Sequence, residues 1–227
     1  MDTIPGASIT TGDSNTFLGH QAGDATTTAS NNTAVGKDAL GANTTGHSNV
    51  AVGRIALDSV TTGTQNTAVG SDAGDALTTG AGNTFLGYGA AFQQTTASNN
   101  VGVGYLALGA NTTGSNNTGL GNNGLYYNQS GSGNTAIGSA AMTGVSGQSS
   151  ANNTACGYNA LRYITTGGDN TAVGAYAAYS VSSGTNNTAM GRHALLSTTT
   201  SSNNTALGYY ALNANTTGSN NVGVGYA

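Results

Sequence analysis

The chain has 227 residues, of which only 12 are charged, and its formal net charge is −4. It contains 37 Gly, 36 Thr and 28 Asn but no Glu and no Trp, so residues of poor helix propensity dominate and argue against a helical protein. Four scattered basic residues give no electrostatic footprint for nucleic acid, and the absence of an apolar run of about 18 residues excludes a membrane-spanning helix.

The first twelve residues, MDTIPGASITTG, lack both the basic start and the apolar segment of a secretion signal. We expect residues 1–12 to form a lead-in and a weak cap, because Pro5 cannot donate a hydrogen bond to a strand ladder. Residues 13–227 form a single predicted repeat array. The array stops within a repeat, at NVGVGYA, so we expect either further sequence or subunits stacked end to end into a filament.

A closing glycine ends a five-residue motif in every repeat. It stands at Gly19, Gly36, Gly53, Gly70, Gly87, Gly104, Gly121, Gly138, Gly157, Gly174, Gly191, Gly208 and Gly225. Every interval is 17 residues except Gly138 to Gly157, which is 19. A fixed period of this kind predicts a solenoid. The two extra residues lie in MTGVSGQSSA, a small polar stretch in which an insertion forms a loop.

The length of the repeat selects among solenoid types. Helical repeats need about 33 residues, and leucine-rich repeats need more leucines and longer units. Seventeen residues rich in Gly, Thr and Asn fit one coil of short strands and tight turns. The sequence therefore predicts an all-β fold, a parallel β-solenoid (β-roll) of about 13 coils. With strands about 4.8 Å apart, the coils would make a rod roughly 60 Å long.

An asparagine precedes each closing glycine by four residues, and stacked at strand spacing such amides form a hydrogen-bonded ladder. The predicted ladder comprises Asn15, Asn32, Asn49, Asn66, Asn83, Asn100, Asn117, Asn134, Asn153, Asn170, Asn187, Asn204 and Asn221.

The next three residues of each repeat predict a strand. A Thr or Val comes first and an apolar residue third, as in Thr33 and Val35, and the third position includes the single cysteine, Cys156. Because strand side chains alternate, these two columns share a face, and we predict that they form the buried stack. The residue between them is small, so we expect the second face to be covered as well, by the interior of the coil or by another chain.

Two further features complete the repeat. Alanine recurs three positions after the closing glycine, often followed by leucine, as in Ala39 and Leu40, and predicts a second apolar wall. A Thr-Thr-Gly segment follows, as at Thr44–Gly46, and its glycine is expected to adopt positive φ in the turn that closes the coil.

The unit N-T-A-V-G-x-x-A-L-x-x-N-T-T-G-x-x resembles the repeats of phage tail fibres and of bacterial surface proteins with YadA-like trimeric adhesin heads. The resemblance covers nearly everything after the first dozen residues and implies a left-handed parallel β-roll with three chains around one axis. The unit here is longer than the adhesin-head coil. No signal peptide, neck, stalk or anchor is visible, which favours the tail-fibre type.

No catalytic, cofactor-binding or metal-binding residues are predicted. Asp72 and Asp75 are the closest carboxylates, without a third ligand for calcium. The three histidines fall at different positions of the repeat and form no triad or metal spacing. The glycines of GVGYLALG belong to the repeat, and no helix or phosphate-binding lysine follows them.

A tyrosine directly follows five closing glycines, at Tyr88, Tyr105, Tyr158, Tyr209 and Tyr226. Such a row has two interpretations. It packs along the edge and protects the corner of the coil, or it binds sugars through rings with an apolar face and a polar tip.

Three functions remain open at this stage. The first is a structural, non-enzymatic fibre or adhesin segment in the virion or on the cell surface, self-associating as a trimer or filament and displaying a site for a surface glycan or receptor. The second is an ice-binding solenoid that uses stacked Thr columns. The third is a glycan depolymerase, which needs paired carboxylates that the sparse Asp residues do not offer.

Overall fold

The computed structural model describes residues 5–226, and all of their regular structure is β. The strands are β1 (Thr16–Leu18), β2 (Thr33–Val35), β3 (Val50–Val52), β4 (Thr67–Val69), β5 (Thr84–Leu86), β6 (Val101–Val103), β7 (Thr118–Leu120), β8 (Thr135–Ile137), β9 (Thr154–Cys156), β10 (Thr171–Val173), β11 (Thr188–Met190), β12 (Thr205–Leu207) and β13 (Val222–Val224). Residues 1–4 of the predicted lead-in and residue 227 of the predicted array lie outside the described residues.

The chain forms two compact units, 1–115 and 116–227, of which 5–115 and 116–226 are described. In the first unit β1 to β6 pair in chain order, and in the second β7 to β13 do the same. Every pair is parallel and in register, so that Thr33 lies beside Val50 and Thr171 beside Thr188. The predicted all-β parallel solenoid with a 17-residue period is confirmed.

Hydrogen bonds between coils follow the same period. The amide of Thr33 donates to the carbonyl of Asn49 at 2.8 Å, and the amide of Gly53 donates to the carbonyl of Val35 at 2.8 Å. The turns bond in the same way, since the amide of Thr44 donates to the carbonyl of Thr61 at 3.0 Å. Turn backbone is therefore satisfied by the neighbouring coil as fully as strand backbone.

The described part of the predicted lead-in joins this pattern. The amide of Gly6 donates to the carbonyl of Ala22 at 3.2 Å, and the amide of Thr10 donates to the carbonyl of Thr27 at 2.9 Å. Residues 6–12 thus stack on the following coil, and residues 10–12 repeat the Thr-Thr-Gly segment of the array.

The strand faces are the reverse of the prediction. The small central residue points into the coil, as Ala34 and Ala51 show with 0% exposure, and the flanking Thr or Val and apolar residues point outward. The predicted buried stack is therefore wrong, and Cys156 is half-exposed on the outer face. Alternation fixes which residues share a face, but the volume inside the coil decides which face is inside.

The predicted second wall fills that interior. Ala39 and Leu40, with their equivalents Ala56 and Leu57, are fully buried and confirm it. Leu40 and Leu57 have positive φ values of 52° and 51°, a left-handed conformation that is uncommon for leucine. Side chains of this size leave room for little more than a methyl group on the strand opposite, which explains the alanine column.

Two coils fill the interior differently, with Phe17 against Gly6, where an added Cβ would lie 2.8 Å from the Phe17 ring, and with Phe85 against Gly74. Phe85 replaces the usual alanine of the strand and is fully buried. The neighbouring coil carries Gly74 where others have leucine, and a Cβ added there would lie 2.8 Å from the Phe85 ring. The large and small residues have exchanged places, so the enclosed volume is conserved.

The glycine requirement also differs from the prediction. The glycine of the Thr-Thr-Gly segment is not among the residues with positive φ, and Gly46 is needed because a Cβ would overlap the carbonyl of Gly63. The positive φ belongs to the closing glycine, 144° at Gly53, where a Cβ would also overlap the Gly70 carbonyl. Both positions pack backbone against backbone.

The 19-residue interval contains an outward loop. Val145 to Gln148 are exposed, and the coil resumes at Ser150, whose amide donates to Asn128 Oδ1 at 2.9 Å. The insertion is thus accommodated outside the stacked coils.

Candidate functional site

The asparagine column forms a continuous ladder within each unit. Asn66 donates from its side chain to Asn49 Oδ1 at 3.1 Å and to the carbonyl of Gly80 at 2.9 Å. Asn66 Oδ1 accepts hydrogen bonds from the backbone N–H of Asn83 at 3.0 Å and from the side-chain Nδ2 of Asn83 at 2.9 Å. Asn32 to Asn204 are buried, while Asn15 and Asn221 are half-buried. The ladder is therefore internal scaffolding rather than a surface for a ligand.

The two threonines of the Thr-Thr segment have different roles: the first bonds to the next coil and the second faces solvent. The first hydroxyl donates to the next coil, from Thr44 to the Thr61 carbonyl at 3.1 Å and from Thr78 to the Thr95 carbonyl at 3.0 Å. The second member, such as Thr45, is exposed. Only one column of each pair is available at this turn, as strand alternation predicts.

The outward strand face carries a column of apolar side chains that are at least partly exposed. Within the stacks its third column includes Leu86 at 47%, Ile137 at 40% and Met190 at 46% exposure. Its other column is mainly threonine, as at Thr67 and Thr171. We call these two columns the strand face. A regular apolar stripe of this kind marks an interaction surface in soluble proteins.

A second exposed region follows each closing glycine, and it differs between the units. In the first unit it carries Asp24, Asp38, Asp58, Asp72 and Asp75, which we call the acidic corner. Two of these aspartates form ion pairs, Asp38 with Lys37 at 2.8 Å and Asp72 with Arg54 at 2.8 Å.

Asp58 and Asp75 have no such ion pair among the described residues. Desolvation by burial, followed by repulsion from Asp75 and Asp38, raises the pKa of Asp58 above its usual 3.8. Burial and then repulsion from Asp72 raise the pKa of Asp75 in the same direction. Burial, and then neighbouring carboxylates on the same or an adjacent coil, therefore oppose ionisation of both groups.

The same region of the second unit is aromatic. We call it the aromatic corner, and it comprises Tyr158, Arg162, Tyr163, Tyr176, Tyr179, Arg192, His193, Tyr209, Tyr210 and Tyr226. Its rings form an unbroken series of contacts. Ring centroids are 5.0 Å apart for Tyr163 and Tyr179, and 5.4 Å for Tyr179 and Tyr176. His193 continues the series, at 5.3 Å from Tyr176 and 4.6 Å from Tyr210.

The guanidinium groups of this corner lie over aromatic rings. Arg162 is 5.7 Å from the centroid of Tyr163, and Arg192 is 5.8 Å from that of Tyr209. These are cation–π contacts, and no carboxylate pairs with either arginine among the described residues. Desolvation, then the charge of Arg192, lowers the pKa of His193 below its usual 6.5.

The predicted tyrosine row has two members in the first unit and three in the second. Tyr88 and Tyr105 stack at 5.5 Å in the first unit, and Tyr209 and Tyr226 stack at 5.5 Å in the second. Tyr158 instead meets Tyr176 edge to face at 5.4 Å. The row therefore packs along the edge, while Tyr88, Tyr105, Tyr158, Tyr209 and Tyr226 all stay exposed.

Sequence reasoning missed the rest of the aromatic corner. Tyr163, Tyr176, Tyr179 and Tyr210 stand two, five or six positions after a closing glycine, where the first unit has mainly acidic or small residues. Aligning the repeats at these variable positions, rather than only at the conserved ones, would have revealed the clustering.

Within residues 5–226, no cluster of His, Cys or Asp is arranged to hold a metal ion, and no helix is long and apolar enough to cross a membrane. No protein-family model matches the chain, and neither the curated proteins nor the solved structures that were compared with it gave a match. The β-solenoid is consistent with a structural repeat protein, and the repeat motif alone carries the resemblance to fibre and adhesin heads.

Proposed function

We propose that this protein is a structural, non-enzymatic segment of a fibre or surface appendage that self-associates through the strand face. The exposed apolar column of that face is the observation that supports it, because the same small patch recurs on every coil. A trimer is the expected assembly, since the repeat resembles trimeric adhesin heads, and the virion or cell surface is the expected location.

Simple energetics favour association. Complete burial of an aliphatic side chain stabilises by about 1.5–3 kcal/mol. Most third-column side chains are already half-buried, so covering the remaining exposed part of one contributes roughly 0.5–1 kcal/mol. Repeated on the six or seven strands of one unit, the strand face supplies on the order of 5 kcal/mol per unit. The two columns of the described strands carry no charged residue, so their burial avoids the desolvation cost of charges, whereas each threonine hydroxyl needs a hydrogen-bond partner in the interface.

The mass of the undenatured particle, measured by light scattering behind a sizing column, tests this proposal. We expect three chains, or a longer assembly. Replacing Val69 and Val173 by lysine places one charge on the strand face of each unit and is expected to return a single chain of 22.1 kDa.

The matched control replaces Thr62 and Thr166 by lysine, two exposed turn positions away from the strand face, and should leave the mass unchanged. A wild-type monomer over a wide concentration range would overturn self-association. Equal dissociation by both variants would show that added charge, not the strand face, controls the assembly.

Ice binding remains a second candidate because the strand face also carries a regular threonine column. Thr118, Thr135 and Thr154 lie in register on adjacent strands with their side chains outward. Thermal hysteresis of the purified wild-type protein decides the matter. None at high concentration excludes ice binding, and hysteresis that Thr135→Leu abolishes would favour it over self-association.

A further inference from the structure

The aromatic corner is a contiguous exposed surface separate from the strand face. Tyr158, Tyr163 and Tyr209 are 51%, 44% and 38% exposed although each contacts another ring. Exposed aromatic surface of this extent indicates a binding surface.

The net charge of the described second unit is opposite in sign to that of the whole chain. The chain carries −4, but residues 116–226 contain two arginines, Arg162 and Arg192, and one carboxylate, Asp169. Asp169 lies in the turn just before the asparagine ladder, a different part of the coil. Arg162 donates to Asn159 Oδ1 at 2.6 Å, and Arg192 donates to the Tyr209 hydroxyl at 3.4 Å, so both guanidiniums are held in place without neutralisation.

We propose that the aromatic corner binds an acidic polysaccharide, with sugar rings against the tyrosines and sugar carboxylates on Arg162 and Arg192. A pyranose has a face of C–H groups that packs on an aromatic ring and hydroxyls that bond to tyrosine tips. A guanidinium matches a carboxylate through two parallel hydrogen bonds. This surface does not depend on self-association, because its residues lie outside the strand face.

The geometry favours a sugar over single-stranded nucleic acid. Neighbouring rings touch one another, at 4.4 Å for Tyr209 and Tyr210 and at 5.0 Å for Tyr163 and Tyr179, which leaves no slot for a base between them. Two guanidiniums also neutralise few phosphates, so the counterion release that drives binding of nucleic acid is small here. Most of the affinity has to come from contacts with rings and tyrosine hydroxyls, which a sugar with several hydroxyls uses more fully.

The experiment measures binding of three polymers to the full chain by isothermal titration calorimetry at low salt. The probes are alginate, which bears a carboxylate on each sugar, dextran, which is neutral, and an oligothymidylate. We expect binding of alginate and at least tenfold weaker binding of dextran and of the oligonucleotide. The double variant Arg162→Gln and Arg192→Gln should lose at least tenfold in alginate affinity, and Tyr209→Ala should also weaken it.

Matched controls come from the first unit. Arg54→Gln removes a guanidinium paired with Asp72, and Tyr105→Ala removes a stacked ring, so both should leave alginate binding unchanged. Circular dichroism and particle mass identical to wild type exclude misfolding of the variants. Binding of dextran equal to alginate, an unchanged affinity in the double arginine variant, or preference for the oligonucleotide would each overturn the proposal. If polysaccharide binding fails while the wild-type particle mass still shows an oligomer, the binding proposal is overturned and the proposed self-association is not.

Discussion

The acidic corner of the first unit and the aromatic corner of the second occupy the same region of the repeat, within six residues after the closing glycine. The first holds aspartates on successive coils, two of them paired with Lys37 and Arg54. The second holds tyrosines, His193 and two unpaired arginines in mutual contact. The scaffold beneath is shared, because both units have the same asparagine ladder, closing glycine and parallel register.

The difference shows that the repeat separates structure from surface chemistry. Positions that face the interior or touch the next backbone admit few residue types, whereas the first, second, fifth and sixth positions after the closing glycine are at least partly exposed in most coils and vary between repeats. A chain built in this way alters its binding properties without altering its fold. Four predictions test this separation.

The largest effect is expected where the interior of the first unit departs from the common pattern. Phe85→Ala should lower the free energy of unfolding by about 3–5 kcal/mol, because it leaves a cavity between coils. Adding Gly74→Leu restores the usual alanine–leucine pairing and should recover a large part of that loss, as measured by urea unfolding at fixed chain concentration. Gly74→Leu in the presence of Phe85 should instead destabilise through overlap. Simple additivity of the two changes would refute the volume exchange.

Equivalent substitutions in the shared asparagine ladder should lower the free energy of unfolding equally in both units. Asn66→Ala and Asn170→Ala each leave a buried carbonyl, of Gly80 or Gly184, without its side-chain donor. We expect each to cost about 2–4 kcal/mol, and the two costs to agree within about 1 kcal/mol, by urea unfolding followed by circular dichroism. Thr62→Ala, at an exposed turn position, is the control and should cost less than about 0.5 kcal/mol. A loss confined to one unit would contradict a common scaffold.

The acidic corner should lose stability as pH rises. The raised pKa values of Asp58 and Asp75 mean that the folded chain binds more protons than the unfolded chain above pH 3.8, so the free energy of unfolding falls as pH rises through the raised values. Asp58→Asn should therefore raise the thermal midpoint at pH 7 and change it little at pH 3. Asp169→Asn, at an exposed turn of the second unit, serves as the control and should show no such difference.

The aromatic corner should gain stability as pH rises, which is the opposite of the acidic corner, and by a smaller amount. The pKa of His193 lies below 6.5 in the folded chain, so between 6.5 and that lower value the unfolded chain binds the extra proton. This contribution is complete above pH 6.5 and is lost as pH falls through the window. His193→Asn, which suits the positive φ of 61° at this position, should flatten the dependence. His47→Asn at an exposed site of the first unit should not, and equal flattening by both would contradict a role for desolvation.

Much of the fold could be predicted from the sequence because the constraints repeat. A glycine every 17 residues fixed where each coil closes, and three β-branched or apolar residues before it fixed each strand. The aromatic corner could not be predicted in this way, because its contacts join residues from different coils and different positions, such as Tyr176 with His193. The predicted tyrosine row captured only part of it, since the row was defined by one position of the repeat.

The sequence by itself determined the period, the strand positions and which residues share a face, since these depend on local geometry repeated along the chain. Only the tertiary structure decided which face is inside. Leu40 and its equivalents occupy the narrow interior, so the opposite wall accepts Ala34 but not Val35. The aliphatic and threonine columns consequently lie on the outside, where they form the strand face.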